Sequence, residues 1–190
     1  MRRLAPLLLS LSLLTGCSAF GGLDGTGEKG YISGDGAIVQ RAVDEREEPI
    51  SLEGEDLEGE PLSLEELRGK PVVVTVWGSW CPPCVAEAPD VVEAAERLGD
   101  DAAFVGLNLR DGNQAQGLAF ERNYEVPFPS FYSPDGREML AFRGVLTPRS
   151  IPAFVVLDAE GRVAASINGG LPSTQTLVDL VRDAEGAGRG

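Results

Sequence analysis

The chain has no histidine among its 190 residues. Two thiols alone do not complete a tetrahedral zinc shell, which argues against reading the cysteines as half of a metal site. Attachment of c-type haem is excluded as well, because Cys84 is followed by Val85 rather than by histidine. Cysteine is scarce, with three residues in all. Positive charge is in deficit: 16 Lys and Arg stand against 30 Asp and Glu, a net charge of −14. So acidic a chain argues against nucleic acid and against anionic lipid headgroups as partners. There is no internal repeat and no sign of a second folded domain. A chain of this length can bury one proper core. Neither a cofactor nor a metal is expected.

What is present begins with an export signature. Met1-Arg2-Arg3 is a basic head, and Leu4 to Leu14 is an apolar run too short to span a bilayer as a mature helix. Leu14-Thr15-Gly16-Cys17 resembles the lipobox of bacterial lipoproteins. The resemblance implies a signal peptide over residues 1–16, cleavage before Cys17 and a lipid on that cysteine. Two or more acyl chains there suffice for stable anchoring to the outer face of the cell membrane. An ordinary signal peptide with a chance cysteine, or an uncleaved anchor, is the alternative. Residues 17–48 are rich in Gly, Ser and charge and read as a lipidated tether with a mean reach of roughly 30 Å.

An exported protein meets an environment in which disulfides persist. With Cys17 taken by lipid, Cys81 and Cys84 remain to pair. Only two residues separate them, and so short a loop constrains the unfolded chain little. The pair is better suited to chemistry than to stapling. Apolar Pro71 to Trp77 predicts a buried strand before it, and Pro82 to Leu98 predicts a helix after it, with Val85, Ala88, Val92 and Ala95 on one stripe and a kink at Pro89. Cys81 then stands at a helix N-terminus, where partial positive charge favours thiolate.

The folded domain is expected over residues 49–185, with a disordered tail at 186–190. Ile50 to Leu52 and Glu60 to Leu62 suggest a hairpin, and Ser63-Leu64-Glu65-Glu66 has the form of a capping box. Strands are expected at Ala103 to Leu109, Phe128 to Tyr132, Ala153 to Leu157 and Val163 to Ile167. Helices are expected at Gln114 to Asn123, Asp135 to Phe142 and, capped by Ser173, Thr174 to Ala184. Crossovers in the first part imply parallel pairing, and the last two strands form an antiparallel hairpin.

A Cys-x-x-Cys pair between strand and helix is a thioredoxin-like signature. Val76-Trp77-Gly78-Ser79-Trp80-Cys81-Pro82-Pro83-Cys84, with Glu87 and Pro89 beyond, resembles the extracytoplasmic, membrane-anchored branch of that superfamily. That branch includes thiol-disulfide reductases of cytochrome c maturation. The resemblance implies an α/β thioredoxin-like fold: a central mixed sheet flanked by helices, an N-terminal β-hairpin and a central insertion over Asn113 to Gly144. It implies that Cys81 and Cys84 form a redox-active disulfide, with Cys81 attacking as the sulfur nearer to solvent and Cys84 resolving. It places Glu87 near the pair as a proton carrier, against the plainer reading of a solvated helix glutamate. It matches Ile151-Pro152 to a cis-proline site whose backbone faces the dithiol and a substrate strand. Trp80 would shield the pair and offer a docking surface. Cytoplasmic thioredoxins carry a buried aspartate six residues before the first cysteine; here Thr75 stands there, which leaves proton transfer to Glu87, water or the substrate.

The implied function is reduction of disulfides in exported proteins such as apocytochrome c, fed by a membrane electron donor. A dithiol oxidase that passes electrons to a membrane acceptor uses the same residues. A thiol peroxidase is disfavoured, because the chain lacks a Pro-x-x-x-Thr-x-x-Cys run. An acidic lipoprotein that only binds a partner is the remaining reading.

Overall fold

The computed structural model describes residues 32–33 and 36–186. The expected signal peptide, Cys17 and the tail from residue 187 lie outside the described residues. Strands β1 (Ile32–Ser33) and β2 (Gly36–Gln40) come first, then a hairpin of β3 (Glu53–Glu55) and β4 (Pro61–Ser63). Strand β5 (Val72–Trp77) leads into α1 (Pro82–Leu98), and β6 (Ala103–Leu109) into α2 (Gln114–Tyr124). The chain continues through β7 (Ser130–Ser133), a 3-10 segment at Arg137–Phe142, β8 (Ala153–Leu157), β9 (Val163–Gly169) and α3 (Thr174–Gly186).

Apart from the hairpin β3–β4, the strands form one sheet in the order β1-β2-β9-β8-β5-β6-β7. The pairs β5–β6 and β6–β7 are parallel, each bridged by a helix, whereas β5–β8 and β8–β9 are antiparallel. This is the mixed α/β architecture expected from the order of elements. All six residues of β5 are buried, as a strand covered on both faces requires. Its β-branched side chains suit that pleated setting. Val73 packs with Phe154, Val156 and the apolar faces of α1 and α3. Val72, Val74 and Val76 point the other way, toward Leu64, Phe131 and Phe142. Each fully buried valine of this kind contributes about 1.5–3 kcal/mol relative to exposure.

Several expectations are corrected. The stretch 17–48 is not tether throughout: β2 pairs with β9, and Ile38 is buried in the main core. Arg46 reaches Asp158 at 3.0 Å with both side chains almost wholly covered. The folded unit therefore starts before Pro49. The first hairpin strand lies three residues later than expected, because Leu52 is drawn into the core ahead of it. The capping box does not form around Glu66. Ser63 instead accepts from the Glu65 N–H at 3.2 Å and donates to the Glu65 carboxylate at 2.8 Å. The segment before Phe142 is a 3-10 helix. The buried stripe of α1 is Cys84, Ala88, Val91, Ala94 and Leu98, and the helix runs on past Pro89. Ser173 does cap α3, its hydroxyl accepting from the Thr176 N–H at 3.1 Å.

Candidate active site

The site forms where β5 ends and α1 begins. Gly78 keeps the connecting turn narrow: a Cβ there would stand 2.7 Å from Trp80 Nε1 and 2.9 Å from the Leu109 carbonyl oxygen. That space lets Trp80 Nε1 donate to Leu109 at 2.9 Å, which holds the indole with about half its surface in solvent. Cys81 is the N-cap of α1, and Pro82 and Pro83 fill the first helical positions. Prolines fit there because the N–H groups of a first turn have no partner within the helix. Cys84 lies one turn on and is disulfide-bonded to Cys81, with Cα atoms 5.3 Å apart. The Cys84 N–H donates to Cys81 Sγ at 3.3 Å.

Both cysteines are almost wholly buried as residues. Cys81 is 3% exposed and Cys84 2%. Leu57, Trp77, Ala88 and Phe120 enclose them, with Ile151 packed alongside. The Ile151-Pro152 bond is cis. Ile151 thus meets the dithiol cluster, but its N–H donates to the Arg149 carbonyl at 3.0 Å. Pairing of that N–H with a substrate strand requires this contact to open.

Behind Cys84 is a cavity of about 30 Å³ lined in part by Thr75, Trp77, Glu87 and Phe120. It is large enough for a water molecule. Glu87 is therefore not a freely solvated helix residue. Its carboxylate accepts the Leu171 N–H at 2.8 Å. Burial pushes its pKa up to about 7, and Asp90 adds to the rise while the Leu171 hydrogen bond opposes it. A carboxyl poised near neutrality beside a thiol can take and return a proton.

Two residues were not singled out from sequence. Asp111 is buried and accepts from the Ser79 N–H at 3.2 Å, the Ser79 hydroxyl at 2.7 Å and the Asn108 amide at 2.7 Å. It fixes the turn that carries Trp80 and Cys81. Its only sequence signal is an acid two residues past a mostly apolar strand. Glu121, on α2, is held near pKa 7 by burial. Its position in an ordinary polar helix gave no signal. Among the described residues, no group of three or more Cys, Asp or Glu is arranged to hold a metal ion.

The sequence profile of the Redoxin family matches residues 42–183, which takes in β3 to β9, α1, α2 and most of α3. The chain belongs to the Redoxin family. A thiol-disulfide oxidoreductase, ResA, of Bacillus thuringiensis subsp. konkukian is 28% identical over 114 residues, covering 60% of this Redoxin chain and 64% of the Bacillus protein. The crystal structure of a DsbF homologue from Corynebacterium diphtheriae superposes with a TM-score of 0.73 at 28% identity, covering 82% of this chain and 98% of that one. A secreted Mycobacterium tuberculosis disulfide oxidoreductase homologous to E. coli DsbE superposes at 0.62 and 27% identity, covering 70% and 96%.

Proposed function

We propose that this Redoxin protein is an extracytoplasmic thiol-disulfide oxidoreductase that reduces disulfides in exported proteins, apocytochrome c among them. The observation that carries this reading is the Cys81–Cys84 disulfide at the start of α1, with its inner sulfur beside the Glu87 cavity. In the dithiol form the Cys81 thiolate attacks one sulfur of a substrate disulfide. That S–S bond breaks, a mixed disulfide forms, and the departing substrate thiolate takes a proton. Cys84 then gives its proton to Glu87 through the cavity and attacks Cys81 Sγ. The second substrate thiolate leaves and is protonated in turn. Two electrons have passed to the substrate, and a membrane dithiol donor must restore the pair. Trp80, half exposed beside Cys81, and the Ile151-Pro152 loop supply the docking surface. Export by residues 1–16 and a lipid on Cys17 belong to the same reading and keep the domain at the outer membrane face.

The Cys84 N–H aimed at Cys81 Sγ gives the oxidase direction its one specific support, because a donor there stabilises the thiolate and hence the reduced form. An ionised Glu87 nearby opposes that effect. A trapping experiment tests the reductase. Cys84→Ser should accumulate a mixed disulfide with a disulfide-containing exported protein, and Cys81→Ser should not. Equal trapping by both variants contradicts the assigned roles, and trapping by neither contradicts the activity.

A further inference from the structure

The surface around the dithiol carries positive charge in a chain whose net charge is −14. Three segments meet there. Residues 71–86, which hold the Cys-x-x-Cys pair, contain no charged residue. Arg110 follows Leu109, whose carbonyl receives the Trp80 indole N–H at 2.9 Å. Arg149 lies in the loop before the Ile151-Pro152 bond. Its carbonyl receives the Ile151 N–H at 3.0 Å, and Ile151 packs against the cluster that contains Cys81. Arg110 is joined to that loop directly, because its Nη2 donates to the Pro148 carbonyl at 2.6 Å. No acid occurs between Glu138 and Asp158, although the whole chain has 30. The charges in that stretch are Arg143 and Arg149.

Arg110 and Arg149 are both exposed, and among the described residues neither forms an ion pair. The neighbouring acids are engaged elsewhere. Asp111 is buried, with its carboxylate taken up by Ser79 and Asn108. Glu138 accepts from the Ser133 hydroxyl, Asp135 is paired with Arg137 at 2.6 Å, and Glu87 accepts from Leu171. Arg110 also stands at a φ of 57°, a left-handed conformation that a residue with a Cβ rarely adopts. Glycine would relieve that strain. Arginine brings instead a planar fork that binds one loop carbonyl and leaves its remaining donors to solvent.

We propose that Arg110 and Arg149 form a carboxylate-recognising rim, which selects segments of exported proteins that carry Asp or Glu beside the target cysteine. This rests on the oxidoreductase reading above and adds its substrate class. A substrate strand laid along Ile151-Pro152 brings the residues flanking its cysteine to these guanidinium groups. A guanidinium meets a carboxylate by two parallel hydrogen bonds, a match that neutral or basic flanks cannot make. Acids elsewhere on the domain repel such a segment. At about 0.1 M salt, however, the screening length is about 10 Å, so the nearest charges decide.

The test uses three disulfide-bonded peptides that differ only in the residues flanking one cysteine: Asp, Lys or Ser. Second-order rates of reduction by the reduced protein are measured at about 0.1 M and about 1 M salt. Each is divided by the rate of dithiothreitol on the same peptide, which removes the peptides' own reactivity. The wild type should reduce the Asp peptide roughly tenfold faster than the Lys peptide at the lower salt, and lose most of that ratio at the higher. Arg149→Glu should bring the ratio to about one or below. Arg110→Gln should lower it by about threefold, and Arg110→Lys, which keeps the charge, should lower it less. If Arg149→Glu fails to fold, Arg149→Gln carries the same readout. Equal rates on the Asp and Lys peptides in the wild type, or a faster Lys peptide, overturn the rim. An Asp preference that persists unchanged in the Arg149 and Arg110 variants overturns it as well. Failure of the wild type to reduce any of the three peptides overturns the oxidoreductase reading and the rim with it. Reduction of the Ser peptide without an Asp preference overturns the rim alone.

Discussion

The carboxylate of Glu87 and the backbone N–H of Leu171 meet at 2.8 Å, joining α1 to the loop between β9 and α3. The bond holds Glu87 inward beside Cys84 and covers it from solvent. Its folded pKa of about 7 lies above the ordinary value of 4.5. Between those limits the folded chain keeps a proton that the unfolded chain has released. The stabilisation is therefore complete below about pH 4.5 and is lost as pH rises through about 7. Glu121 contributes with the same sign. Urea midpoints measured across this range should fall in the wild type, fall less in Glu87→Gln, and run nearly flat when Glu121→Gln is added. An undiminished decline in the double variant contradicts this assignment.

The same carboxyl has a kinetic signature. Glu87→Gln should slow reduction of a disulfide peptide by about 10²-fold near neutral pH and remove the inflection near pH 7. Stopped-flow rates across pH check this. A variant that keeps the inflection shows that another group carries the proton.

Gly106 is the tightest packing point beside the site. Gly106→Ala drives a methyl group into Ser130 and Trp77, and should destabilise the protein by about 1–3 kcal/mol. Equilibrium urea unfolding reads the loss. An unchanged midpoint would mean that β6 and β7 can part without penalty.

Arg46 ties the N-terminal segment to the turn after β8. Burial raises the Asp158 pKa, but hydrogen bonds from the Arg162 N–H and from the Arg46 and Arg162 guanidinium groups outweigh it and hold the carboxyl below its ordinary range. This contribution is present above the unfolded pKa and is lost as pH falls through the folded one. Arg46→Met leaves the buried Asp158 with one guanidinium partner, and should cost about 1.5–3 kcal/mol. A midpoint unchanged in urea would return residues 42–48 to the status of a tether.

The elements legible from sequence were those whose signals are local. Four valines and a threonine in β5, a Cys-x-x-Cys before a helix, and Ser173 ahead of α3 each point to one outcome. Strand β2 was not legible: its Ala-Ile-Val is too short to stand alone, and its pairing partner β9 lies more than a hundred residues away. The stripe of α1 was misread by one position because Val85 and Val92 outweigh Cys84 in apolar character. The disulfide and the small Ala94, which is fully covered, decide which face turns inward. At the site, the Cys-x-x-Cys spacing ahead of a helix pointed to Cys81 and Cys84, whereas Glu87 was suggested by the family resemblance and not by its spacing alone. Asp111 and Glu121 were not legible: Asp111 gains its importance from Ser79, 32 residues earlier, and Glu121 from a burial that only the packing of the fold creates.

Reductase and oxidase differ in the direction in which the Cys81–Cys84 pair moves electrons. Its equilibrium reduction potential, measured against a glutathione or dithiothreitol couple, tests that most directly. A reductase should lie toward the thioredoxin end of the range, nearer about −270 mV. A value near −120 mV would make the pair a strong oxidant and contradict the reductase account.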